Sequence, residues 1–174
     1  PWCKLDKVKF LCPVPGYDRH FAVTEHFGIR MINVPMSEDG PDMDMVEELV
    51  KDPAVKGMWN VPKYSNPQGY VYSEEVTRRI ANLKPAAKDF RVFWDNAYCV
   101  HHLYAEDEKR GHLLNILDLC EKAGNPDLVF EFVSTSKVSY AGGGIAGIVT
   151  SENNKKDILA SMTVQTIGYD KVNQ

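Results

Sequence analysis

The chain has no excess of positive charge, no long apolar run and no cysteine spacing suited to a metal, and each absence removes a class of function. Lys and Arg number 20 against 24 Asp and Glu, a formal net charge of -4. That gives none of the basic field that nucleic acid or an anionic membrane surface demands, so neither is an expected partner. The most apolar stretch, Gly143 to Val149, is far shorter than the ~20 residues of a membrane-spanning helix. No charged segment leading into an apolar one opens the chain, so the cytoplasm is the expected compartment. Cys3, Cys12, Cys99 and Cys120 show neither CxxC spacing nor the density of a disulfide scaffold, and are expected as buried free thiols. His101 and His102 follow Cys99, but adjacent side chains in an extended segment face opposite ways. With no helical i, i+4 partner, they are expected to pack or face solvent rather than bind metal.

What is present is an ordinary globular composition, 44% hydrophobic and 25% charged over 174 residues, enough for one α/β core. Apolar, β-branched runs at Val8–Cys12, Ile29–Val34, Val55–Val61, Arg91–Trp94, Leu128–Val133 and Ile145–Thr150 read as six strands. Several are apolar at consecutive positions, as burial on both faces demands. Helical periodicity separates most of them. Asp42 precedes Met43–Val50, Ser73 caps a segment opening with Glu74 and Glu75, and the Leu113–Ala123 and Asp157–Ile167 runs close at Gly124 and Gly168. Asp18–Phe27 is a further helix, and Tyr169–Gln174 reads as the start of another. The expected fold is a three-layer α/β domain over residues 1–174, a mostly parallel sheet of about six strands between helices.

In such a sheet ligands bind beyond the carboxyl ends of the strands. The segments found there are Pro15-Gly16-Tyr17-Asp18-Arg19-His20, Asn66-Pro67-Gln68-Gly69, Asp95-Asn96-Ala97-Tyr98 and Ser134-Thr135-Ser136-Lys137. A lone lysine after a strand reads as a loop residue reaching solvent. Among apolar strands, however, a buried ammonium is costly unless it is paired, neutralised or covalently bound, and a Schiff base would remove the cost.

Asn-Pro-x-Gly at 66–69, Asp-x-Ala-Tyr at 95–98 and Ser-x-Ser-Lys at 134–137 together resemble the fold-type I pyridoxal-phosphate aminotransferases, class I and its aspartate-aminotransferase-like branches. The likeness runs from about Val8 through Gly147. It implies that Lys137 holds pyridoxal 5'-phosphate as a Schiff base and, once released by substrate, moves the Cα proton. It implies that Asp95 pairs with the pyridine nitrogen, that Tyr98 and Asn66 bond the ring's 3-oxygen, and that Tyr17 stacks on the ring. His20 would support Asp95, and Ser134 and Ser136 would bond the phosphate. Cis peptide bonds are implied before Pro15 and Pro67.

The pattern departs from the family at one place. Class I relatives carry a phosphate-binding arginine eight residues after the lysine, where this sequence has Ile145. The neighbouring Gly142-Gly143-Gly144 could offer backbone N–H groups instead. The same glycines spell GxGxxG at Gly142, Gly144 and Gly147, but that run opens a strand rather than a helix, so a dinucleotide site is not expected.

The resemblance implies that a phosphate-capping loop precedes Pro1 and that a small domain, carrying the arginine for the substrate carboxylate, follows Gln174. Residues 1–174 would then be part of a large domain, inactive alone, in a homodimeric parent. The leading expectation is transamination between an aspartate- or alanine-like amino acid and 2-oxoglutarate. The same constellation serves other lyases and decarboxylases, and an effector-sensing domain fused to a transcription regulator is a further alternative.

Overall fold

Strand β1, Lys9–Val14, is buried at four consecutive positions between partly buried ends, as befits a strand with neighbours on both sides and cover on both faces. It lies inside the sheet of the computed structural model, which describes residues 7–138, 140–168 and 171–172. The other strands are β2 Arg30–Ser37, β3 Gly40–Pro41, β4 Val55–Asn60, β5 Arg91–Asp95, β6 Val129–Ser134 and β7 Ala146–Val149. They form one seven-stranded sheet in the order β3-β2-β1-β4-β5-β6-β7. β2, β1, β4, β5 and β6 are parallel, while β7 and the short β3 are antiparallel additions at the two edges.

The expected α/β class holds, with seven strands in place of six among the described residues. The additional one, β3, is two residues long and half proline, too short to show any period of its own. The helices are α1 Asp18–His26, α2 Met43–Leu49, α3 Glu74–Ala81, α4 Ile116–Lys122 and α5 Glu152–Gln165. Asp42 caps α2 by accepting from Met45 N at 3.1 Å, and Ser73 caps α3 by accepting from Val76 N at 3.2 Å. α4 begins three residues later than its apolar run suggests, because the Asn115 side chain accepts from Leu117 N and Asp118 N and starts the helix there. α5 begins five residues earlier than expected, at the Ser151 cap. The further helix expected over Tyr169–Gln174 falls largely outside the described residues.

The pleat divides the core in two. Leu11, Met58, Val92 and Trp94 face a large cluster that α2, α3 and α4 complete with Val46, Ile80 and Ile116. Phe10 and Cys12, with Trp59 and Phe93 partly buried beside them, face the other side under Phe21 of α1. On that side a Cβ on Gly57 would overlap the Phe10 ring, so glycine is what lets β4 lie against β1 there. Cys12 and Cys120 are buried free thiols pushed up to about 12 by burial, while Cys99 is half-buried and Cys3 lies outside the described residues. No described helix is long and apolar enough to cross a membrane.

Candidate functional site

The sheet order brings the carboxyl ends of β1, β4, β5 and β6 side by side on one edge, and the four singled-out segments follow those ends. β1 connects to β2 on one side while β4 to β6 extend on the other, so the chain changes direction between β1 and β4. A switch of that kind opens a crevice. The two loops at the switch are tied together, since Gln68 Nε2 donates to Pro15 O at 3.2 Å. Both carry a cis bond, Val14–Pro15 and Asn66–Pro67, as the resemblance implies.

His20, in the first turn of α1, is only 9% exposed. Its Nε2 donates to Asp95 Oδ2 at 3.0 Å, linking α1 to the end of β5. The imidazole stacks on Trp59 at 4.3 Å and 9°, and Tyr17 meets its edge at 5.2 Å. Trp59 Nε1 donates to Thr24 Oγ1 at 2.8 Å, and Thr24 Oγ1 donates to His20 O at 2.7 Å. These bonds fix the Trp59 indole on which the His20 ring stacks. Sequence reasoning missed Trp59 and Thr24; only their placement opposite a buried histidine gives them a role.

The second group forms where β5 and β6 end. Lys137 lies in the turn after β6 with its Nζ 5.5 Å from the centroid of the Tyr98 ring. His101 Nε2 donates to Lys137 O at 2.7 Å. Ser134 Oγ accepts from Ser136 N at 3.1 Å and donates to Ser136 Oγ at 3.0 Å. Lys137 is exposed, which corrects the expectation of an ammonium buried among apolar strands. The turn carries the residue past the sheet edge, so its charge is solvated and desolvation cost says nothing about its role.

The glycine run passes close to the serine turn. Thr135 and Ile145 pair through their backbones, Thr135 N donating to Ile145 O at 2.9 Å, and Ile145 N donates to Thr135 Oγ1 at 2.9 Å. A Cβ on Gly144 would stand 2.7 Å from Ser136 Cα, so glycine is required for the chain to pass the serine turn so closely. The run leads into β7 rather than a helix, as the sequence suggests.

Asp95 and Ser134 open onto a cavity of about 800 Å³ between β6, β7 and α5. Tyr17, His20 and Asn66 line a much smaller crevice of about 20 Å³ beside Trp59. The structure thus joins His20 to Asp95, Lys137 to Tyr98 and Ser134 to Ser136, and sets Asn66 beside Tyr17. No contact among the described residues joins the Lys137 amine to Asp95, Asn66 or Tyr17.

The family model for aspartate amino-transferase matches residues 1–174. The chain belongs to that family. An aspartate aminotransferase of Corynebacterium glutamicum is 53% identical over 174 residues, 100% of this chain and 40% of that protein. The crystal structure of an aspartate transaminase from the same species superposes with a TM-score of 0.93 at 53% identity, covering 99% of this chain and 40% of that one. An α-aminoadipate aminotransferase from Thermus thermophilus, solved with N-(5'-phosphopyridoxyl)-L-leucine, shares the fold with a TM-score of 0.77 at 23% identity, over 97% of this chain and 44% of its own. The chain therefore spans 40% of the curated family member with which it shares 53% of its residues.

Proposed function

We propose that the protein containing this chain transfers an amino group between an amino acid and a 2-oxo acid with pyridoxal 5'-phosphate, and that Lys137 is the residue that holds the cofactor. The observation that carries this is the convergence of four strand ends, with the Asp95 carboxylate held at 3.0 Å by His20. The donor set fits the cofactor. Asp95 Oδ1, the Tyr98 hydroxyl, the Asn66 amide and the Lys137 amine make no hydrogen bond to described protein groups, so each is free to engage a ring nitrogen, a 3-oxygen or an aldehyde. The name of the C. glutamicum relative supports aspartate as amino donor, and 2-oxoglutarate is the acceptor we propose with it.

When bound, the cofactor supplies the electron sink that stabilises negative charge at the substrate's Cα. Asp95 would accept from the ring nitrogen's N–H, and His20 aims Asp95 by donating to its other oxygen. Tyr98 and Asn66 donate to the 3-oxygen, and Tyr17 covers one ring face. Ser136 and, on giving up its bond to Ser136, Ser134 would donate to the phosphate, and the freed Lys137 amine would move the proton at Cα. The resemblance assigns a phosphate-capping loop, a carboxylate-binding arginine and a second subunit to parts outside residues 1–174, and these belong to the proposal.

The reading is tested by incubating the full-length protein with pyridoxal phosphate, reducing with borohydride and mapping the adduct by mass spectrometry. A yellow chromophore and an adduct on Lys137 are expected; an adduct on a different lysine would overturn the assignment. Asp95→Asn replaces the charged acceptor by a neutral one, a loss of about 1.5–3 kcal/mol in a charge-assisted bond. Its kcat is expected to fall roughly 100-fold. A change of less than about threefold would remove Asp95 from the ring nitrogen.

A further inference from the structure

We infer that His101 is a positioning residue for Lys137, gripping the lysine's own carbonyl so that its amine is presented over Tyr98. This rests on the reading of Lys137 as the residue that holds the cofactor. The two residues lie 36 apart in the chain, yet His101 Nε2 stands 2.7 Å from Lys137 O. A carbonyl oxygen only accepts, so Nε2 carries a proton. His101 Nδ1 is buried and has no partner among the described residues. A buried nitrogen with no partner is unfavourable and calls for an explanation. The imidazole is committed through its other nitrogen to a single bond on Lys137.

The same short turn holds Lys137 at both ends. His101 N donates to Tyr98 O at 3.0 Å, and the His101 ring meets the edge of the Tyr98 ring at 5.6 Å. Tyr98 in turn lies 5.5 Å below the Lys137 amine. One anchor fixes the lysine's peptide and the other its ammonium. Lys137 otherwise occupies an exposed turn, and a small tilt of its Cα is multiplied along a four-carbon side chain. A displacement on the order of 1 Å at a reacting group costs as much as about 100-fold in rate. His102 points elsewhere, with its Nδ1 2.8 Å from the Tyr64 hydroxyl, so the two histidines serve different loops.

Two amide variants separate positioning from packing in the full-length protein. The terminal N–H of His101→Gln reaches about where Nε2 stands, whereas that of His101→Asn ends short, near Nδ1. The readouts are the rate at which pyridoxal phosphate forms the borohydride-stable adduct on Lys137, and kcat and KM with aspartate and 2-oxoglutarate. His101→Asn is expected to slow adduct formation and kcat about tenfold with KM little changed, and His101→Gln to recover most of both. Equal effects of Gln and Asn, or neither variant slowing the adduct, would overturn the proposal. An adduct missing from Lys137 in the unmutated protein would overturn the reading beneath it, and with it the proposal.

Discussion

Lys137→Ala in the full-length protein is expected to lower kcat for amino-group transfer about 10⁴-fold, the largest functional effect of any substitution in this chain. The loss has two sources. The methyl group can neither bind an aldehyde nor carry a proton, and among the described residues no other amine lies over the Tyr98 ring. Lys137→Arg is expected to fail nearly as badly, because a guanidinium stays protonated and is not a nucleophile at neutral pH. The side chain is exposed, so neither change should disturb folding. Steady-state kinetics with a thermal-melt control checks this. A variant retaining a tenth of the activity with an unshifted melt would move the chemistry to a different lysine, such as Lys63 or Lys155.

Trp94→Ala is expected to cost about 3–5 kcal/mol of stability, the largest structural effect. The ring is 1% exposed, meets Tyr72 edge-on at 5.7 Å, and belongs to the larger core cluster. Its residue pairs with Asn60 on β4 and Glu131 on β6, in the middle of the sheet. A space of about 380 Å³ already lies beside it, lined also by Leu113, Ile116 and Asn96, so truncation would enlarge that space rather than let the walls collapse. The urea midpoint should fall by about 2 M if the slope is about 2 kcal/mol/M. Trp94→Phe, which keeps an aromatic ring, should lose much less. A midpoint shift below about 0.5 M for the alanine variant would show that the core does not depend on this ring. Asp95 follows directly on Trp94 as the last residue of β5, so residual activity should fall further than the unfolded fraction explains.

The strand interiors were legible because two-sided burial writes itself as consecutive apolar residues, as in Phe10-Leu11-Cys12. The caps at Asp42 and Ser73 were legible because a polar residue ahead of helical periodicity has few other uses. The start of α5 was not. Its first turns, Glu152-Asn153-Asn154-Lys155-Lys156, carry no apolar stripe, and what anchors them is tertiary. Asn154 Nδ2 donates to Asp127 O at 2.9 Å, and Arg91 Nε donates to Asn154 Oδ1 at 3.0 Å. The motif residues of the site could be named from their spacing, but not their partners. Nothing near His101 in the chain points to a carbonyl 36 residues away, and nothing near Lys137 says that its turn clears the sheet and leaves it exposed.

Strand β7 bonds to β6 on one side and has no strand among the described residues on the other. All four of its residues are exposed, with Ile148 at 44% and Val149 at 46%, and none carries a charge. An open edge of that kind is a template for the same edge on another molecule. That border would offer copies of the chain unpaired amides and carbonyls, so low solubility of residues 1–174 produced by themselves would be a property of the border and not of a faulty fold.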